Sequence, residues 1–375
     1  MRKGAVILLA AVLFSTTNIL GATLRVPTEY TTIQEAIDFA SEGDTILVES
    51  GAYEAIPPSQ YVAHFVDKTG VTLLSESGKE STVIDALGIQ YYAPLRFFNS
   101  NNCIVKGFTL TNGHSNVYVY ESTGIVISDC DISYAYDHGI VTGDGTHVEL
   151  ELINNRFFGN RLNAFYSEYV ELAVSFNGNA IFENGKGIEI TTNTFISFSI
   201  INNHIFNNTS HGIQFYKTPS SLSIIGNTIY DNGGSGIAIA GLASPLVQNN
   251  TIVNNSHSGI EVGSNMSPTV QNNIIVSNQE FGIIVYAGAM PEIVCNDVWN
   301  NNSNYGGSIL DQTGINGNIS EIPLFCNPES DDYSLASNSP AFLQTCGIMG
   351  AILEPGCEPI AAQKISWSNI KSIYK

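Results

Sequence analysis

Five residues able to move protons or hold charge recur at one place in a repeating pattern: Asp137, His138, Arg161, Lys186 and His211. Each lies just before a Gly-Ile step or its equivalent, at Gly139-Ile140, Ala164-Phe165, Gly187-Ile188 and Gly212-Ile213. A lyase that takes the proton beside a carboxylate needs a base and a cation to hold the enolate. Lys186 or His138 fits the base, Arg161 the carboxylate anchor, and Asp137 the group that orients His138. The competing reading is of ordinary solvated loop residues.

Aromatic residues gather nearby. Tyr118, Tyr120, Tyr166 and Tyr216 fall on outward strand positions, in columns shared with Glu168, Glu189 and Gln214. Tyr134 and Tyr136 stand in a preceding loop. Ring faces stack on sugars, while acids and amides bond sugar hydroxyls. Tyr118, Tyr136, Tyr166, Glu189, Gln214 and Tyr216 are therefore candidate sugar-binding residues. Tyrosine is also common on exposed sheet faces, so the plainer reading stays open. Asp131 and Arg156, on adjacent repeats, are expected to form a surface ion pair of little energetic consequence.

Such residues converge only if the repeat stacks them. Asn155, Asn179, Asn203, Asn227, Asn250, Asn273 and Asn296 recur at steps of 24, 24, 24, 23, 23 and 23 residues. Asn160, Asn184, Asn208, Asn232, Asn255, Asn278 and Asn301 keep the same steps. A fixed period of this size means stacked structural units. Apolar residues alternate within each unit, as in Ile213/Phe215 and Ile237/Ile239, which is strand periodicity. Short strands with one buried face each, in a coil of this length, make a parallel β-helix. Its coils stack about 4.8 Å apart, which places the candidate site within roughly 15 Å of ladder. An inward Asn bonds its neighbours' amides, each net bond contributing about 1 kcal/mol. The Gly of each Gly-Ile step fits a bend where a Cβ would be costly. Neither column is assigned a catalytic role. Upstream, Val117-Tyr118-Val119, Leu95-Arg96-Phe97 and Val71-Thr72-Leu73 continue the Ile140 column, and Ile46-Leu47-Val48 reads as the first strand. About eleven coils make a rod on the order of 50 Å long.

The ends read differently. Residues 1–22 have the basic start, apolar core and small-residue end of a secretory signal. Residues 23–45 form an N-terminal cap, with Ile33, Ala36, Ile37 and Ala40 at helical spacing and Thr32 with Glu35 as a capping box. Residues 46–312 carry the repeats. Residues 313–358, rich in Pro and Cys, form a C-terminal cap. Residues 359–375 form a basic tail with Trp367, Ile370 and Tyr374 on one helical face, either docked or frayed. Cysteines of an exported chain can bridge, and Cys346–Cys357 and Cys295–Cys326 are the preferred pairs. Cys103 and Cys130 are expected free and buried. No cysteine spacing suits zinc.

Over residues 30–312 the chain resembles the right-handed parallel β-helix superfamily. The resemblance rests on the Asn columns, the Gly-Ile strands, and the opening Thr32-Ile33-Gln34-Glu35-Ala36-Ile37 followed by Gly43-Asp44-Thr45-Ile46. The segments Pro323-Leu324-Phe325, Asp332-Tyr333-Ser334-Leu335 and Ser339-Pro340-Ala341 look like a lid found on secreted bacterial members. The resemblance implies an all-β, right-handed parallel β-helix with a helical N-terminal cap and an irregular C-terminal cap. It leaves function open among lyases, hydrolases, esterases, epimerases and binding rods. Tyr136-Asp137-His138-Gly139-Ile140 and Ser210-His211-Gly212-Ile213 are similar to the His-Gly-Ile part of polygalacturonases. Hydrolysis needs two placed carboxylates, and only Asp137 is present in that column. Calcium-dependent pectate lyases gather carboxylates beside the Asn column, where only Asp129 occurs here. No cofactor is expected; calcium stays open as the alternative, although its usual carboxylate cluster is missing.

The formal net charge is -20, and it becomes -22 once Arg2 and Lys3 are removed with the signal. Such a body repels uronans except at a local patch like Arg161/Lys186, so its general field favours neutral glycans. The same field opposes nucleic acid. No run beyond the signal is long and apolar enough to span a membrane. The expectation is a secreted, extracellular or cell-surface monomer that contacts extracellular polysaccharide along its lateral face. Catalysis, if present, is lyase or related uronan chemistry. The alternative is a non-catalytic surface or matrix protein in which the repeat is a spacer.

Overall fold

The computed structural model describes residues 21–360, except 144–146, 168–170, 192–194, 218–220, 242–243 and 343–345. Residues 1–20 of the expected signal, Glu168, and residues 361–375 of the expected tail lie outside the described residues.

The chain winds through three parallel sheets in fixed order, adding one strand to each per coil. The first sheet runs from Thr23–Val26 to Glu292–Val294 in twelve strands. The second runs from Gly51–Glu54 to Asp297–Trp299, and the third from Tyr61–Val66 to Ser303–Gly307, each in eleven strands. This is a right-handed parallel β-helix of about eleven coils. Most strands are three to five residues, but His147–Ile153, Glu171–Asn177 and Phe195–Ile201 reach seven.

Two bends per coil use left-handed residues followed by an inward Asn. Asn202, Asn249 and Asn272 have φ of 56°, 50° and 55°, and Asp231 and Asn254 have 53° and 54°. Short polar side chains tolerate that conformation better than branched ones. The Asn beyond each bend is buried and faces its equivalents. Asn203 donates its backbone N–H and its Nδ2–H to Asn227 Oδ1, at 2.9 and 3.0 Å, and Asn227 does the same to Asn250 at 3.0 and 2.9 Å. The first ladder continues past Asn296 to Asn318, and the second ends at Asn304. The Gly-Ile glycines have a different reason from the one expected. A Cβ on Gly187 would stand 2.2 Å from Gly212 O, and one on Gly259 2.5 Å from Ile275 Cγ2. Close approach of neighbouring coils, rather than a bend, requires glycine there.

Inside the rod Phe157, Phe165, Phe176 and Phe198 are fully buried, and Phe165 meets Phe176 edge-on at 5.1 Å. Each such side chain contributes about 1.5–3 kcal/mol by leaving water. At one end the helix Ile33–Phe39 turns Ile33, Ala36 and Ile37 into this core. Thr32 Oγ1 accepts from Glu35 N–H at 3.1 Å, while Glu35 reaches back to Thr31 N–H at 2.9 Å.

Several expectations need correction. Thr23–Val26 pairs with Thr45–Val48, so the rod starts one strand before Ile46. In the third sheet Leu95 stacks on Ala63, and Thr72–Ser75 belongs to the first sheet. A long loop lengthens that coil, so counting back at a constant step slips from one sheet to the next. The C-terminal region divides in two. Ile309 packs on the core and Asn318 closes the first ladder at the rod's end. Phe325, Tyr333, Leu335 and Met349 instead run along the side, packed on Tyr230, Val253, Ile274 and Val276 of the second sheet. This strap explains the disulfides, which are Cys295–Cys346 and Cys326–Cys357, not the pairs expected. Gly350 N–H bonds Asn272 O at 2.8 Å, bringing the strap near Cys295, and Ala336 bridges Cys357 within the lid. Cys103 and Cys130 are free and buried. Asp131 is 4% exposed, bonded to Arg156 Nε at 2.7 Å and to Lys79 at 2.8 Å, so the expected surface pair has a buried carboxylate beneath two partly exposed cations. Burial pulls its carboxyl up, but both cations outweigh this and hold it below the usual range.

Candidate functional site

The outer face of the third sheet carries the candidate residues. Tyr118, Val141, Tyr166, Glu189 and Gln214 occupy successive rungs of one column. They point outward because the residues on either side of each are buried, as Ile188 and Ile190 are beside Glu189. His138 and His211, from the loops that enter these strands, lie alongside, as do Asn163 and Lys186 at the first position of their strands.

At the centre the His138 ring lies on the Tyr166 ring, with centroids 4.6 Å apart and planes 9° apart. On the next rung the Glu189 carboxylate accepts from Lys186 Nζ at 2.5 Å and from Asn163 Nδ2 at 2.6 Å. The Lys186 ammonium also stands 5.6 Å over the Tyr216 ring. His211 Nδ1 accepts from Ser235 N–H at 3.0 Å, and the Ser235 hydroxyl donates to Glu261.

Burial pushes His138 down to about 4, with Asp137 and Glu189 opposing it, so its imidazole is neutral at physiological pH. Burial also lowers His211; Lys186 and His257 add to this and Glu261 opposes it. His138 Nδ1 and Gln214 Oε1 are buried without a hydrogen-bond partner. An orphaned buried polar atom costs about 1–3 kcal/mol, so each of these two weighs against stability on this face.

The sequence-chosen residues therefore split. His138, Tyr166, Lys186, Glu189, His211, Gln214 and Tyr216 share one face. Asp137 is turned away from its expected role, because its carboxylate pairs with His114 Nδ1 at 3.4 Å. Arg161 lies 4.6 Å over the ring of Tyr136, which is 60% exposed. Tyr118 sits two rungs below Tyr166 and stacks on Tyr120 at 5.8 Å. Burial raises its phenol above the usual value. The sequence reading missed Asn163, although it stands at the Lys186 position one coil earlier. It also missed His114, which stands one coil before Asp137 and is bonded to its N–H across the ladder.

Lys186 and Glu189 satisfy each other, so together they offer a donor and an acceptor rather than a free base. Tyr166 and Tyr216 offer ring surface, and His138 Nδ1 and Gln214 Oε1 lie covered and unpaired on the same face. This set can grip the hydroxyls and the apolar face of a sugar. Among the described residues no three His, Cys, Asp or Glu side chains gather as a metal site, and no helix is long and apolar enough to cross a membrane.

A family model described as "Right handed beta helix region" matches residues 197–320, and one described as "Periplasmic copper-binding protein (NosD)" matches residues 64–258. No curated protein sequence matches the chain. Among solved structures the chain is similar to pectate lyase Pel9A, with a TM-score of 0.56 and 16% identity over 82% of this chain and 84% of that one. It is also similar to the periplasmic alginate epimerase AlgG, with a TM-score of 0.50 and 14% identity over 72% of this chain and 77% of that one. At these identities the likeness is one of fold.

Proposed function

We propose, from the premise that this chain belongs to the NosD family of right-handed β-helix proteins, that it acts outside the cytoplasm and holds a polysaccharide on the outer face of its third sheet. The observation that carries this reading is the row Tyr166, Glu189 and Gln214 with two orphaned polar atoms beside it. Aromatic faces beside polar side chains on one face are what a sugar chain needs. Holding is favoured over cutting. Lys186 is tied to Glu189 and Asp137 to His114, so neither stands ready as base or orienter. Lyase or related uronan chemistry at His138 remains the catalytic alternative.

The family description names copper. The side chains here do not fit it. Among the described residues no three His, Cys, Asp or Glu side chains gather, and the free Cys103 and Cys130 are buried.

The test is a glycan panel of neutral and acidic polysaccharides, read by affinity electrophoresis and by ultraviolet absorbance for unsaturated uronates. Retardation by at least one glycan is expected, with about tenfold weaker binding in Tyr166→Ala and Gln214→Ala, the loss typical of one good contact. A protein that binds nothing, or variants that bind like the parent, would overturn the reading. Absorbance growth that His138→Ala abolishes would instead establish the lyase.

A further inference from the structure

Three rungs before Tyr166, the third sheet holds an arginine in unusual company. Arg96 projects outward between the buried Leu95 and Phe97. Its guanidinium lies 5.0 Å from the Tyr61 ring, 5.4 Å from Phe98 and 5.5 Å from Tyr120. Its Nε is buried with no hydrogen-bond partner. His64, the rung below, is neutral: burial, then Arg96, pushes it down to about 4.

The chain has 34 acidic side chains against 14 Lys and Arg. Arg25, Lys79, Lys106, Arg156 and Lys186 each have a carboxylate within 3.6 Å. Among the described residues no carboxylate lies in ion-pair range of Arg96. In a body this acidic, a cation held on ring faces leaves its in-plane donors unspent. Arg96, Tyr61, Tyr91, Phe98, Tyr118 and Tyr120 line an open groove of about 450 Å³, within the roughly 300–1,000 Å³ of small-ligand sites. The groove connects with the loop row that carries Asp137 and Arg161. Tyr91 stacks on His114 at 5.2 Å, and His114 approaches Tyr136 at 5.7 Å, which carries Arg161.

We propose that this groove is a subsite for the carboxylate of an acidic sugar, held by the Arg96 fork with its ring on the surrounding tyrosines. The proposal rests on the sugar-binding reading above and gives it a charge class. A planar carboxylate matches the two parallel donors of a guanidinium edge. The aromatic walls exclude water, which strengthens the pair. The acidic body then acts as a filter, because a polyanion gains only where Arg96 and Arg161 locally reverse the field.

The test compares a galacturonate hexamer with its carboxyl-reduced counterpart by calorimetry, on the parent protein and on Arg96→Gln and Arg96→Lys. The parent is expected to bind the acid at least tenfold more tightly, with an affinity that falls with salt. Arg96→Gln removes that preference and leaves the reduced hexamer unchanged; Arg96→Lys, which keeps charge and stem, gives an intermediate loss. Equal binding of the two hexamers by the parent overturns the subsite without needing any variant, and leaves the sugar-binding reading standing. An Arg96→Gln protein that keeps the preference also overturns it. Failure of the parent to bind either hexamer overturns the subsite, and failure with every glycan of the panel removes the broader reading too.

Discussion

Lys186 shows what a single residue can reveal and conceal. Its place before Gly187 put it in a row with Asp137, His138 and His211 from sequence alone. Its tie to Glu189 was hidden, because strand alternation places positions three apart on opposite faces. The pair forms because Lys186 stands at the strand's entry, outside regular alternation. Lys186→Ala is expected to cost about 1–3 kcal/mol in urea unfolding, because it leaves a nearly buried carboxylate with Asn163 alone. Adding Glu189→Gln should recover part of that loss; equal stability of Lys186→Ala and the parent would show that the pair does not matter. The ladder makes a second prediction. Asn227 accepts from Asn203 and donates to Asn250 and to Ile200 O at 2.8 Å. Asn227→Leu strands these groups and should lower stability by about 1–3 kcal/mol in the same measurement. The ladder was legible because identical residues kept one step. Asn318 was not, because its coil is shortened to 22 residues.

Among elements, the strand Asp297–Trp299 at the end of the second sheet carries a titratable fault. Asp297 is fully buried; it accepts from Glu321 N–H at 3.0 Å while its Oδ2 has no partner. Burial, opposed by that hydrogen bond and aided by Glu321, raises its carboxyl to about 7 in the folded state. The unfolded value is near ~3.9. Between these values the unfolded chain releases a proton that the folded chain keeps. Stability therefore falls as pH rises from about 4 to about 7, and stays lower above that. Asp297→Asn removes the titration. Its urea midpoint is expected to exceed the parent's at pH 8 and to lose that advantage at pH 4; parallel profiles would overturn the assignment. The N-terminal helix was legible because Thr32 and Glu35 are local signals. The strand Tyr61–Val66 was not, because inward apolar alternation is the same on all three sheets and only loop length distinguishes them. That slip also hid the Arg96 groove.

For the whole molecule, the two ends and the side strap fail in different ways. Deleting residues 21–40 uncovers the edge strand Thr45–Val48, a template for pairing with other chains. Deleting residues 323–360 leaves the rod's end closed but bares Tyr230, Val253, Ile274 and Val276. Light scattering should show aggregation of both, with ordered β fibrils only from the first; monomeric behaviour of both would count against these roles. The fold at this scale was legible from period alone, whereas the strap was not, since its partners lie far off in sequence and follow no repeat. The ladders have a further property, which is polarity. Each Asn passes its Nδ2–H forward to the next Oδ1, so a coil is completed only by its successor. The run ends where Asn318 turns its amide back to Ile315 O at 2.7 Å and Asn304 hands its own to Ser320 at 3.0 Å. Those two residues act as full stops. A chain with one extra coil spliced in ahead of Asn296 would still terminate correctly, because the stop reads only the amide immediately before it.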